Sequence, residues 1–209
     1  MRDVVVIGAG GFGREVAQLL RDIERSGGGV RFAGYLDDDP RAQDRVPRDE
    51  TWLGPLAEFE RFDRYLAVCA VGDPKARAAI AARLKGKVSW ATLQHPSVIV
   101  GDRCRIGPGS VICAGVVLTV DVTIGAHVHI NLVCTIGHDV VIEDFATLSP
   151  GCGVSGNVHI GPRVLLGTQA VLLPGAQIGT DAIVGAGSVV LKAVPEGATV
   201  VGVPAKRLV

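Results

Sequence analysis

The sequence predicts two successive architectures, a small α/β domain and then a parallel β-helix. Three observations predict them. An aliphatic residue returns every six positions from Val100 to Val190, and the chain opens with an apolar strand, a glycine-rich turn and a helical pattern. The 209 residues also combine 48% hydrophobic content and 28 glycines with only 4% aromatics. That balance describes a core of aliphatic and small side chains, as in β-rich repeat proteins.

Composition excludes several partners. Lys plus Arg and Asp plus Glu both total 21, so no overall field draws the chain to nucleic acid or an anionic membrane, and small molecules are the expected partners. No cationic segment with a cleavable apolar stretch opens the sequence, and no apolar run approaches the ~18 residues of a membrane span. A cytoplasmic protein is expected. Five cysteines without a CxxC pair argue against a disulfide framework or a zinc knuckle.

The first element is VVVIGAGGFGREVAQLL, a buried strand, a tight turn with Gly8, Gly10, Gly11 and Gly13, and a helix. Glycines let a ligand approach the backbone, and the helix N-terminus offers unpaired N–H groups to a phosphate, with Arg14 nearby. A second extended stretch, VRFAGYLDDDP, ends in Asp37, Asp38 and Asp39, whose carboxylates suit a ribose or base. A third apolar run, YLAVCAVGD, completes the unit. The glycine fingerprint also fits NAD, but a full dinucleotide fold uses two βαβαβ halves and fewer than ~95 residues precede the repeat. A half-Rossmann-like domain over residues 1–90 that holds a mononucleotide is the better reading. A turn that only joins strand to helix, and a solvated acidic turn before Pro40, remain as bland alternatives.

The second element spans residues 94–195. Sixteen six-residue units run without a break, and a small or β-branched residue follows each aliphatic one by four positions, among them Cys104, Ser110, Val116, Cys134, Cys152 and Ala170. Alternate side chains of a strand face opposite sides, so these two positions share the interior. With three units per coil, residues 18 apart stack at about the ~4.8 Å strand spacing. Cys134 and Cys152 then form a ladder of small apolar fillers. Units such as IGPGSV, IGAHVH and VGAGSV resemble the hexapeptide acyltransferase family. The resemblance implies a left-handed helix and a homotrimer with active sites between subunits, whereas the general rule for parallel crossovers favours the right hand. The tail, residues 196–209, resembles that family's closing segment and is expected to cover the last coil's edge.

Taken together, the glycine loop and the repeat resemble the PglD and NeuD group of sugar acetyltransferases along essentially the whole chain. The resemblance implies an acetyl-CoA-dependent N-acetyltransferase acting on a nucleotide-linked amino sugar. It places substrate contacts at Gly10, Gly11 and Phe12, the last through its backbone, at Asp37 and Asp38, and at Gly72. It places acetyl-CoA contacts at Thr147, Thr168 and Ala186. Thr147 stands where a close relative of the group has histidine.

Acetyl transfer from a thioester needs a base for the nucleophile and a donor for the developing oxyanion. Five histidines are available, at 95, 127, 129, 138 and 159, and His138 is singled out because TIGHDVVIED resembles the family's catalytic segment. The expected roles are His138 as general base and Asp139 as the residue that orients it or raises its basicity. Neighbours on a strand point oppositely, so the two can cooperate only at a corner. One coil beyond His138 lies Gly156, whose missing side chain is expected to leave a gap for the acetyl thioester and an N–H for the oxyanion. Acid is expected to suppress turnover. No metal is expected. Alternatives are O-acetylation of sialic acid or another sugar hydroxyl, a zinc enzyme of the β-helical carbonic anhydrase type, which needs three convergent histidines, and a nucleotide-sugar-binding protein without chemistry.

Overall fold

The computed structural model describes residues 1–62 and 64–208. The first part is an α/β unit built from β1 (Arg2–Ile7), α1 (Gly11–Arg25), β2 (Val30–Leu36), β3 (Trp52–Gly54), β4 (Leu66–Cys69), α2 (Pro74–Arg83) and β5 (Ser89–Trp90). All five strands are parallel, in the order β3-β2-β1-β4-β5. Val4, Val5 and Val6 on β1 are fully buried, as are Ala67 and Val68 on β4, the continuous apolar run expected of a parallel strand covered on both faces. The chain reverses its winding between β1 and β4, so the carboxyl ends of these two strands open a crevice. Two further strands pair outside the three long ones, but they are only three and two residues long.

From Leu93 onward the chain forms a left-handed parallel β-helix of three sheets. Up to Ala193–Val194 each strand is two residues long, and strands one coil apart pair 18 residues away, shortening to 16 in the last coil, where Gln177 pairs Ala193 and Ile183 pairs Thr199. The second residue of each strand points inward. Leu118, Ile130, Ile136, Ile142, Leu148, Leu166 and Leu172 are all 0% exposed, with Val116, Val128, Cys134, Ala146 and Ala170 between them. Burying each such aliphatic side chain contributes roughly 1.5–3 kcal/mol. The first coil departs from the pattern. Val100 is 42% exposed and Ile106 half-buried, because no coil lies beneath them.

The three outer faces differ. One, carrying Leu93, Val111, His129 and Thr147, is covered at its base by the α/β unit, and is termed the docked face. The apolar face presents Ile99, Val117, Thr135, Gly153, Val171 and Val189 in register, none of them buried. The polar face presents Arg105, Thr123, Val141, His159 and Gln177. Ten non-glycine residues at the corners take positive φ, including Asp121, His127, Asp139, Asn157 and Asp181. Asp and Asn tolerate this region best among such residues.

In the tail, Thr199–Val201 adds one more parallel strand to the docked face, and Lys206–Arg207 folds back antiparallel upon it. The last coil therefore takes in the first residues of the tail, and the antiparallel turn covers the exposed edge.

Candidate active site

His138 lies on the corner between the apolar and polar faces, after Thr135–Ile136 and before Val141–Ile142. The corner solves the problem of two adjacent side chains. Asp139 has φ +56°, and this left-handed turn brings its Oδ2 to 2.8 Å from His138 Nδ1. An ionised carboxylate only accepts, so Nδ1–H donates and the Nε2 lone pair is free. Both side chains are more than half exposed. One coil below, Asp121 is held by Arg103 at 2.6 Å, which leaves Asp139 to the imidazole.

Gly156 stands one coil above, as the 18-residue spacing requires. A Cβ there would overlap Nε2 and Cε1 of the His138 ring. The gap expected to admit the thioester is thus filled by the imidazole itself. Glycine is needed because the ring packs against this backbone, where any side chain would displace it.

The glycine loop separates into two kinds of glycine. Gly8 has φ +103°, and a Cβ at Gly13 would strike the Gly8 carbonyl, so both are required by the turn and by strand–helix packing. A Cβ on Gly10, Gly11 or Gly72 would meet nothing within 4 Å, and none of these has positive φ. The fold does not need glycine at these three positions. Bare backbone at 10 and 11 leads directly into α1, whose first turn has neither a side-chain cap nor an acidic residue, so its N–H groups stay open to an anion.

Asp37 and Asp38 line a pocket at the carboxyl end of β1 with Ile7, Gly8, Leu56, Val71 and Ile80. Both also serve the fold. Asp37 accepts from the N–H groups of Ala9 and Asp39 at 2.8 and 2.9 Å, and Asp38 accepts from Leu56 N–H and Arg83, both at 2.8 Å. Burial pushes the Asp38 carboxyl up, but the Arg83 hydrogen bond, the Leu56 N–H and the Arg83 charge together hold it below its ordinary value. Phe12 packs its ring on His129 at 4.9 Å between centroids, leaving its backbone in the loop.

Thr147 requires a correction. It was expected among the acetyl-CoA contacts, but it is only 8% exposed beneath the α/β unit. Its hydroxyl donates to the Gly72 carbonyl at 3.0 Å and accepts from Arg77 at 2.8 Å, so both hydrogen-bonding roles are taken. Thr168 and Ala186 stack on the corner between the docked and apolar faces, one edge away from His138. Within one chain the width of the apolar face divides them from the base.

Sequence reasoning missed Arg77 and His129. The segment DPKARAAIAARLK carries no functional signal in the sequence, yet Arg77 is fully buried. Burial lowers its pKa to about 10. His129 Nε2 lies 2.9 Å from the Cys69 carbonyl at the end of β4. Burial, then the Arg77 charge, pushes His129 well below the ordinary imidazole range. His127 is pushed down to about 4 by the same two causes, and stacks on Phe145 at 5.0 Å.

Comparison with known proteins finds relatives for both parts of the chain. Residues 3–84 match the PglD N-terminal domain, residues 97–131 the hexapeptide repeat of succinyl-transferase, and residues 157–192 the bacterial transferase hexapeptide. GDP-perosamine N-acetyltransferase of Escherichia coli O157:H7 is 31% identical over 210 residues, covering 97% of this chain and 95% of that protein. The chain belongs to the PglD-like sugar acetyltransferases of the hexapeptide family. Among solved members of this family, PerB from Caulobacter crescentus, in complex with CoA and GDP-perosamine, superposes with a TM-score of 0.88 at 30% identity, covering 99% of this chain and 97% of that one. The acetyltransferase domain of PglB from Neisseria gonorrhoeae FA1090, in complex with acetyl coenzyme A, gives 0.88 at 29% identity, covering 99% of both chains.

Proposed function

We propose that this PglD-like chain transfers an acetyl group from acetyl-CoA to the amine of a nucleotide-linked amino sugar, with His138 as general base. The observation that carries the reading is the His138 corner: a carboxylate fixes one ring nitrogen, and the other is free over a bare backbone. The sugar amine attacks the thioester carbonyl, Nε2 takes its proton, and Asp139 stabilises the imidazolium that forms. Collapse of the tetrahedral intermediate expels CoA thiolate, which takes up the proton. The N–H of Gly156 is the assigned oxyanion donor. The nucleotide lies at Gly10, Gly11 and Gly72, where glycine has no internal reason, with its phosphates at the α1 N-terminus and its ribose or base near Asp37 and Asp38.

The site is shared between protomers of a trimer. Three copies with their apolar faces turned to a common axis bring the His138 corner of one against the Thr168 and Ala186 corner of the next. This places base and acetyl-CoA contacts on opposite walls of one cleft, and covers the exposed apolar column. Acetyl-CoA is an intracellular metabolite and all five cysteines are free, which supports a cytoplasmic location. Among the described residues no helix is long and apolar enough to cross a membrane. A zinc reading is not favoured, because His127 and His129 are buried beneath the α/β unit on other faces than His138.

The test is thiol release from acetyl-CoA across UDP-, GDP- and dTDP-linked sugars, each as a matched amine and alcohol. Transfer to an amine and not to its matched alcohol is expected. Transfer to the alcohol alone would make the enzyme an O-acetyltransferase, and binding without thiol release would leave a sensor.

A further inference from the structure

We propose that Arg77 is a positioning residue whose buried guanidinium holds the Val71–Gly72 loop, and with it the nucleotide end of the substrate, at a set place over the β-helix. The proposal rests on Gly72 being part of the substrate site. Arg77 is 0% exposed and donates to oxygens of three separate segments. Nε reaches His127 O at 2.9 Å; Nη1 reaches Val71 O at 2.7 Å and Gly72 O at 3.2 Å; Nη2 reaches Phe145 O at 2.6 Å, Ala146 O at 3.2 Å and Thr147 Oγ1 at 2.8 Å. No carboxylate is among these partners. A buried cation with no carboxylate hydrogen-bonded to it is costly even with the Asp73 charge acting on it, and an apolar side chain of similar volume would fill the space at lower cost. The planar fork of donors is what an apolar residue or lysine cannot supply.

The geometry shows what that fork does. Thr147 Oγ1 stands between Arg77 and Gly72, accepting from one and donating to the carbonyl of the other. The Val71 carbonyl is therefore tied to the β-helix through Arg77, and the Gly72 carbonyl both through Arg77 and directly by Thr147. The opposite side of Gly72 is bare, with nothing within 4 Å of a Cβ position. The loop that would meet the nucleotide is held by the element that carries the base, not by its own sheet alone. A small displacement of this loop would shift the sugar amine relative to the catalytic corner, and misplacement by ~1 Å can cost on the order of 10²-fold in rate.

The experiment uses Arg77→Met, Arg77→Lys and Thr147→Val, the last removing only the bridging hydroxyl. KM for nucleotide sugar is expected to rise roughly tenfold or more in both Arg77 variants, while KM for acetyl-CoA stays within roughly twofold. Amide hydrogen exchange at Val71 and Gly72 is expected to speed up in all three. Lysine is expected to restore melting temperature in part but not KM. A folded Arg77 variant with a lower melting temperature, unchanged KM values and unchanged exchange at Val71 and Gly72 would reduce Arg77 to a structural filler. Should Arg77 replacements fail to fold, Thr147→Val decides through the same exchange rates. If the wild type acetylates no nucleotide amino sugar, the acceptor assignment fails separately, and exchange at the loop still decides the anchoring.

Discussion

His138 and Gly156 form one device: the ring needs the missing side chain in order to lie where it does. Gly156→Ala would push the imidazole off the corner and break its alignment with Asp139. The expected result is a fall in kcat of about 10²-fold with little change in either KM, read from steady-state kinetics beside an unchanged circular dichroism spectrum. Asp139→Asn keeps the shape but removes the charge that supports the imidazolium, and kcat is expected to drop by roughly 10- to 100-fold. The histidine and its acidic neighbour were legible in the sequence because TIGHDVVIED resembles a catalytic segment. The coil arithmetic was legible too, and it pointed to residue 156. What sequence could not tell was which atoms occupy the space there, since periodicity locates a backbone position but says nothing of a rotamer.

At the scale of elements, the two imidazoles under the α/β unit tie stability to pH. His127 and His129 are neutral in the folded protein, with pKa values held below the ordinary 6.5 chiefly by burial. The unfolded chain binds protons there that the folded chain does not, so stability is lost as pH falls from 6.5 toward about 4, the value for His127. For His127 alone the loss is on the order of 2 to 3 kcal/mol. Thermal melts across this range are expected to show a steep fall, and His127→Phe, which preserves the stack on Phe145, is expected to flatten part of it. A slope identical in the two proteins would contradict the assignment. The β-helix itself was readable because a six-residue period maps directly onto strand and corner. Its exposed first coil at Val100, and the docking of α2 through Arg77, were not readable. The first depends on where the stack ends, and the second is a tertiary contact between segments 50 to 70 residues apart.

For the whole molecule, the proposed division of one site between protomers makes a prediction that no single chain could satisfy. His138→Asn and a protein with a bulky residue on the other corner, Ala186→Trp, should each be strongly impaired alone, by about 10²-fold or more. Mixed trimers formed by unfolding and refolding the two together should recover a fraction of wild-type activity, because some clefts then join two intact corners. Recovery of none would place both corners' functions within one chain. Charge on the apolar face, as in Val117→Glu, should convert the proposed trimer to monomer in analytical ultracentrifugation and abolish turnover. The most direct measurement is steady-state acetyl transfer to the best nucleotide amino sugar by wild type and His138→Asn, both trimeric and equally stable. A general base contributes about 10²–10⁴-fold, so kcat is expected to fall by that factor with both KM values nearly unchanged. A His138→Asn enzyme within about threefold of wild type, below the smallest effect of a positioned base, would contradict it.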